Sequence, residues 1–204
     1  MTKYSGMRAD RERDRATERQ VAPRGVYRTE RLRLVPIDTR HAPELWELHQ
    51  DEGIDRWFPL SREQALRFAE RMESSWRRGV GKWLAYENST GALVGRGGPS
   101  WAVVEGAECV EIGWALRQEV WGRGYATEIG RAGLDHGFSV IGGVEEVVSF
   151  TEAHNMRSRA VMERLGMRYV RQILRPGLIA GSSEMHKEAP FALYRITRAA
   201  HGHS

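Results

Sequence analysis

The strongest constraint in this chain is the change of pattern across residues 113–128, GWALRQEVWGRGYATE. Upstream, Cys109 to Leu116 is rich in β-branched and aromatic residues and reads as a strand; downstream, Tyr125 to Phe138 holds helix formers and reads as a helix. The two are joined through Gly122-Arg123-Gly124. A strand that enters a helix through a glycine-rich turn aims unpaired backbone N–H groups and the positive end of the helix dipole at one point, which suits a phosphate. A plain flexible connection explains the same three residues. Two nucleotide-binding patterns fit poorly. A P-loop needs Gly-Lys-Ser/Thr, absent here and in GRGGPS (residues 95–100). A dinucleotide fold wants a small residue where Thr127 stands and an acid at the far end of the next strand, whereas Glu145 and Glu146 open that strand.

The flanking sequence supplies a context for this turn. YRTERLRLVPI alternates Leu32 and Leu34 with charged neighbours as a half-buried strand, and Asp38 opens a helix carrying Leu45, Trp46, Leu48 and His49. Ser61 with Gln64 forms a capping box for a second helix, with Leu66, Phe68, Ala69 and Met72 inward and an end near Gly79. KWLAYE and ALVGRGG, separated by Asn88-Ser89-Thr90-Gly91, and then CVEIGWAL read as antiparallel strands. After the helix at 125–138 come a strand (Glu145 to Thr151), a helix (Asn155 to Leu165), a strand (Met167 to Leu174), a loop rich in Gly, Ser and Pro, and a last strand, FALYRIT. This order predicts an α/β (α+β) fold, a mixed central sheet covered by helices, with no internal repeat. Ala126, Gly130, Gly133 and Gly137 fall on one stripe of the helix, suited to tight packing on the sheet or to a narrow cofactor cleft. Asn155 is placed as a helix N-cap and Gly166 as a left-handed stop.

Composition narrows the class. At 204 residues the chain suits one domain, expected over 26–204 after a tail at 1–25. That tail carries seven Lys or Arg against four Asp or Glu, so three of the four net positive charges lie there. It is expected to be disordered, with nucleic acid a partner only through this basic segment. No apolar run approaches the roughly 20 residues of a membrane span, no signal-peptide core is present, and the single Cys109 forms no intramolecular disulfide, so a cytoplasmic protein is expected. The seven histidines are scattered without a His-Glu-x-x-His pattern, so no metal is expected and the terminal His-Gly-His reads as a loose tail.

TERLRLVPI, VEIGWAL followed by WGRGYATE, HNMRSRAVMERLGM and LYRIT occur in an order that resembles the GNAT acetyltransferase superfamily, most closely its ribosomal-protein N-terminal acetyltransferase branch. The resemblance runs from about Thr29 to Thr197. Trp121 departs from the superfamily's Gln or Arg, a replacement usual in this branch. The resemblance implies a mostly antiparallel sheet splayed in its middle. It further implies that Trp121, Gly122, Arg123, Gly124, Tyr125, Ala126 and Thr127 hold the pyrophosphate of acetyl-CoA. Trp114, Ala115 and Leu116 would bond the pantetheine as a further strand, with one N–H facing the thioester oxygen. Asn155 would bond the pantetheine arm, and Ser158 would lie near the sulfur.

Transfer to an amine needs a neutral nucleophile. Glu111, on the strand face of Cys109 and Gly113, is the first candidate base, with a structural role as the alternative. Ser158 is a candidate proton donor, with Tyr169 and Tyr194 in reserve; Cys109 shows no sign of an activated nucleophile. Three readings stay open: acetyl transfer to a protein N-terminus, transfer to a small amine or antibiotic, whose pocket Trp57, Trp83 and Trp101 could line, and a silent acyl-CoA-binding module. Either a monomer or a homodimer fits.

Overall fold

The computed structural model describes residues 25–182 and 184–202, so the predicted tail at 1–25 lies almost wholly outside the described residues, as does His203. One eight-stranded mixed sheet runs through the molecule, in the order β1-β2-β3-β4-β5-β6-β8-β7. Its first half comprises β1 (Tyr27–Arg28), β2 (Leu32–Pro36), β3 (Trp83–Glu87), β4 (Leu93–Val104) and β5 (Ala107–Leu116), all antiparallel neighbours. Its second half comprises β6 (Glu146–Glu152), β7 (Arg168–Leu178) and β8 (Met185–Thr197), with β8 antiparallel to both others.

Between β2 and β3 lie α1 (Ala42–Leu48), the single turn α2 (Glu52–Asp55) and α3 (Arg62–Trp76). Helix α4 (Tyr125–Val140) follows β5, α5 (Met156–Arg164) follows β6, and a last turn, α6 (Arg198–His201), follows β8. The capping box closes both ways: Gln64 N–H donates to Ser61 Oγ and Ser61 N–H to Gln64 Oε1. At the end of α5 the Met167 N–H bonds the Met162 carbonyl and the Gly166 N–H bonds that of Glu163, with Gly166 at φ 79°, the predicted left-handed stop.

The sheet buries both faces. On one, α4 and α5 press Leu134, Phe138, Val161 and Met162 onto Val110, Ile112 and Val147. On the other, Leu45, Leu48, Ala65, Ala69 and Met72 of α1 and α3 cover Leu84, Tyr86 and Ala115. The glycine stripe of α4 serves the first face: a methyl on Gly133 would lie 3.1 Å from Ile112 and 3.3 Å from the backbone of Gly98. Helix and sheet therefore meet at backbone distance, the packing account of the stripe.

Three expectations need correction. Leu66, read as inward on the second helix, is 42% exposed, and Ala65 takes its place in the core. Asp38 caps a 3-10 turn (Thr39–His41) rather than the long helix, and α1 begins only at Ala42, where Pro43 fits the first turn. The Gly/Ser/Pro-rich loop is short, because β7 and β8 continue as a hairpin as far as Leu178 paired with Met185, Pro190 included. Pro190 is tolerated because β6 has already ended beside it, its last pair being Glu152 with Phe191.

Candidate active site

β5 and β6, the one parallel pair, touch over two residues only, Val110 with Val147 and Glu111 with Val148. Ser149 Oγ then donates to the Ile112 carbonyl at 2.7 Å, and beyond that point no further β5–β6 pair forms. The exposed side of β5 follows from alternation. The Arg117 N–H bonds the Val94 carbonyl of β4, so Ala115 and Gly113 also turn their main chain to β4, while Ile112, Trp114 and Leu116 turn theirs towards the gap. The sheet is thus splayed where the sequence reading placed a cofactor strand. Ala115 is corrected within that reading: it lines the strand, but its own N–H and C=O belong to β4. Leu116 keeps its N–H, since its carbonyl accepts from Trp121 Nε1 at 2.9 Å.

At the end of this gap stands the Gly-Arg-Gly turn. Gly122 and Gly124 have φ of 79° and 84°, and Gly124 is the left-handed N-cap of α4 without a side-chain cap. Among the described residues no acceptor takes the N–H groups of Gly122, Gly124, Tyr125, Ala126 and Thr127; the helical ladder begins with Glu128 N–H on Gly124 O. Nothing lies within 4 Å of where a Gly122 side chain would stand. Five free donors at a helix start form an anion cradle. Arg117 Nε is also buried without a partner nearby, and Arg157 stacks 4.5 Å from the Trp121 ring.

The brace behind this cradle was not legible in the sequence. Arg31 donates from Nη1 to the Arg123 carbonyl at 2.8 Å, ion-pairs with Glu128 at 2.7 Å and lies over the Tyr125 ring; Thr29 Oγ1 donates to Glu128 Oε1. Burial works against the Glu128 carboxylate, yet these bonds hold its pKa below the usual range. The partners are 92 or more positions apart, and only the fold brings them together.

On the far side of the gap Asn155 Oδ1 accepts from the Ser158 N–H at 3.2 Å, capping α5 as predicted, and its amide nitrogen has no protein partner among the described residues. The Ser158 hydroxyl is likewise unpartnered there and half-buried. His154, one residue before Asn155, stacks on Trp57 at 5.4 Å.

Glu111 is on the opposite face of β5 from α4, with its side chain 12% exposed. Its Oε2 accepts from Lys82 Nζ at 2.6 Å and from Ser100 Oγ at 3.0 Å, and Lys82 also donates to the Gly98 carbonyl. Oε1 lies over Gly113, where a methyl would come within 2.5 Å of it. Burial pushes the Lys82 ammonium below its ordinary pKa against the pull of Glu111. Lys82, the residue just before β3 and 29 positions from Glu111, was not among the residues the sequence singled out.

Other candidates sit elsewhere. Tyr194 is buried among α5-side residues, donating to Glu163 and accepting from Arg159, and the exposed Tyr169 meets its ring edge to face. Trp83 is buried against Trp76 and His136. Trp101 packs in the α4–α5 core under Arg78. Burial pushes the Cys109 thiol up, away from nucleophilic use. Among the described residues no three His, Cys, Asp and Glu side chains are grouped to hold a metal, and no helix is long and apolar enough to cross a membrane. A cavity of about 500 Å³ beside β2 and α1, lined by Ile37, Asp38, His41, Glu44 and Trp76 among others, contains none of the predicted site residues.

Known proteins are similar to this chain in sequence and in fold. The family model described as acetyltransferase (GNAT) domain matches residues 31–168. The uncharacterized protein YkkB of Bacillus subtilis (strain 168) is 28% identical over 151 residues, 71% of this chain and 86% of that protein. The FsC-acetyl coenzyme A-N(2)-transacetylase of Aspergillus fumigatus is 26% identical over 159 residues, 70% of this chain and 64% of that protein, so the match spans slightly under two thirds of this relative. Among solved structures, the ribosomal-protein-S5-alanine acetyltransferase from Vibrio fischeri has a like fold, with a TM-score of 0.67 at 12% identity over 85% of this chain and 96% of that one.

Proposed function

Since the chain belongs to the GNAT acetyltransferase family and is an acetyl-CoA-dependent acyltransferase, we propose that its acceptor is a primary amine, the α-amino group of a protein N-terminus. The observation that carries this reading is the gap between β5 and β6, which has a cradle of free N–H groups at one end and the Glu111 carboxylate on the adjoining face. In it the pyrophosphate of acetyl-CoA lies on the N–H groups of Gly122 and Gly124–Thr127, where Trp121 and Arg123 shape the turn. The pantetheine runs along Trp114 and Leu116 and is bonded from the other side by the Asn155 amide. The Trp114 N–H faces the thioester oxygen and stabilises the oxyanion as the amine attacks.

An α-amino group with pKa about 7.7–8.0 is partly neutral at pH 7, whereas a lysine near 10.4 is scarcely so, which favours the N-terminal acceptor. Attack forms the C–N bond, and Glu111 Oε1, directly or through a water, takes the proton from the nitrogen. Collapse breaks the C–S bond; the CoA thiolate leaves, with Ser158 able to hand it a proton. A small-molecule amine is the second reading, supported by the N(2)-transacetylase name of the A. fumigatus relative.

Thiol release from acetyl-CoA, measured against ribosomal-protein N-terminal peptides, aminoglycosides, polyamines and amino acids, tests the assignment. Turnover on peptides supports it, turnover on small amines alone replaces it with the second reading, and tight acetyl-CoA binding without release on any amine removes it.

A further inference from the structure

Beside Glu111, on the same face of the sheet, lies a buried cation that no step above uses. Cross-strand pairs place Ser100 opposite Glu111, Gly98 opposite Gly113 and Arg96 opposite Ala115. The middle pair has no side chains of its own; Glu111 Oε1 and Lys82 Nζ lie over Gly113, where a methyl would come within 2.5 and 3.2 Å of them, two residues or about 7 Å along the strands from the Arg96–Ala115 pair. Arg96 is only 6% exposed, and its guanidinium lies between Phe58 and Phe68, 5.1 and 4.8 Å from their rings. It is positioned by a relay. Nε donates to His49 Nε2 at 2.9 Å, which places the proton of the neutral ring on Nδ1, and Nδ1 donates to the Phe58 carbonyl.

The two Nη groups of Arg96 have no protein partner among the described residues, and Phe58, whose ring lies against the guanidinium, is itself 43% exposed. Among the described residues no carboxylate bonds this guanidinium: the one that acts on it, Glu111, is already bonded to Lys82, and Arg71 adds further positive potential. The acceptor side therefore holds one buried positive charge in excess. An amine that arrives as an ammonium ion is repelled there unless it brings a negative charge with it.

We propose that Arg96 is the specificity residue of the acceptor site and that it binds a carboxylate carried by the acceptor, some two or three residue lengths from the reacting amine. This rests on the acetyltransferase reading of the adjoining gap. Planar guanidinium with both Nη groups free matches a carboxylate in two parallel hydrogen bonds, and the aromatic walls fix the plane. Two sources offer this chemistry, an acidic side chain near a peptide N-terminus and a free ω-amino acid.

Calorimetric titration of the CoA-loaded protein with matched pairs decides between them: Ala-Ala-Asp amide against Ala-Ala-Asn amide, and 5-aminopentanoate against 5-aminopentanamide. The acidic member of at least one pair is expected to bind ten-fold or more tightly, and the pair that discriminates names the source. The preference should shrink to within two-fold in Arg96→Met and persist in part in Arg96→Lys, a variant that retains the charge if the first is poorly folded. Equal binding within both pairs, or a preference left intact by Arg96→Met, overturns the proposal. Thiol release run in parallel keeps the two readings apart: discrimination without acetyl transfer leaves the anion site standing and removes the enzyme assignment, and transfer without discrimination does the reverse.

Discussion

Glu111 Oε2 is taken up by Lys82 and Ser100, which leaves Oε1 above the bare backbone of Gly113 as the oxygen free to accept a proton. Glu111→Gln should lower kcat by about 10²–10⁴-fold while acetyl-CoA affinity stays within two-fold, as steady-state kinetics and calorimetry would read; an unchanged rate at pH 7 leaves Glu111 as scaffold. Because the change strands a buried ammonium, a fall in Tm should accompany it. Gly113→Ala puts a methyl 2.5 Å from Oε1 and 3.2 Å from Lys82 Nζ, so it should lower kcat through the displaced ion pair with the far-UV spectrum preserved. At this scale the sequence was half legible. Alternation along one strand put Glu111 with Gly113, but Lys82 and Arg96 reach the site through the registers of β3, β4 and β5, which no local pattern encodes. Asn155 was read both as cap and as cofactor ligand; its Oδ1 serves the first role and its amide nitrogen remains free for the second.

Two elements make the site by parting company: β5 runs on to Leu116 and β6 to Glu152, though their pairing stops at Glu111 and Val148. The Gly122–Gly124 turn then starts α4 at the mouth of that gap. Gly124→Pro forces φ from 84° to about −65° and deletes a donor, so calorimetry should find acetyl-CoA binding abolished; retained affinity would place the phosphates elsewhere. Asn155→Ala removes a helix cap and should cost about 1 kcal/mol of stability by denaturant titration, with a separate loss of acetyl-CoA affinity. The order of strands and helices was readable because period, caps and left-handed glycines agree within each segment. The β7–β8 hairpin was not, because Pro176, Gly177, Gly181, Ser182 and Pro190 signal a loop locally, while cross-strand burial of Ile173, Leu178, Phe191 and Leu193 extends both strands.

Across the whole molecule, charge is arranged unevenly: the α1–α3 face buries Lys82 and Arg96 over a single carboxylate, and the neutral His49 beneath Arg96 has its pKa pushed down to about 3, mainly by burial and then by Arg96 itself. The unfolded chain takes up that proton near pH 6.5, so between pH 6.5 and about 3 the unfolded state binds more protons and stability falls as pH falls, by a few kcal/mol in all. His136, lowered by burial, adds to the same trend. Denaturant titrations from pH 7 to 4 should show this slope, and His49→Gln should flatten it. The central claim, that acetyl-CoA lies in the gap with its phosphates on the glycine turn, is tested most directly by residue-resolved amide hydrogen exchange with and without acetyl-CoA. The account predicts new protection at Trp114, Leu116, Gly122 and Gly124–Thr127, with Ala115, already bonded to β4, unchanged. Protection confined to the cavity around Ile37, Asp38 and Glu44, with the turn exchanging freely, would contradict it.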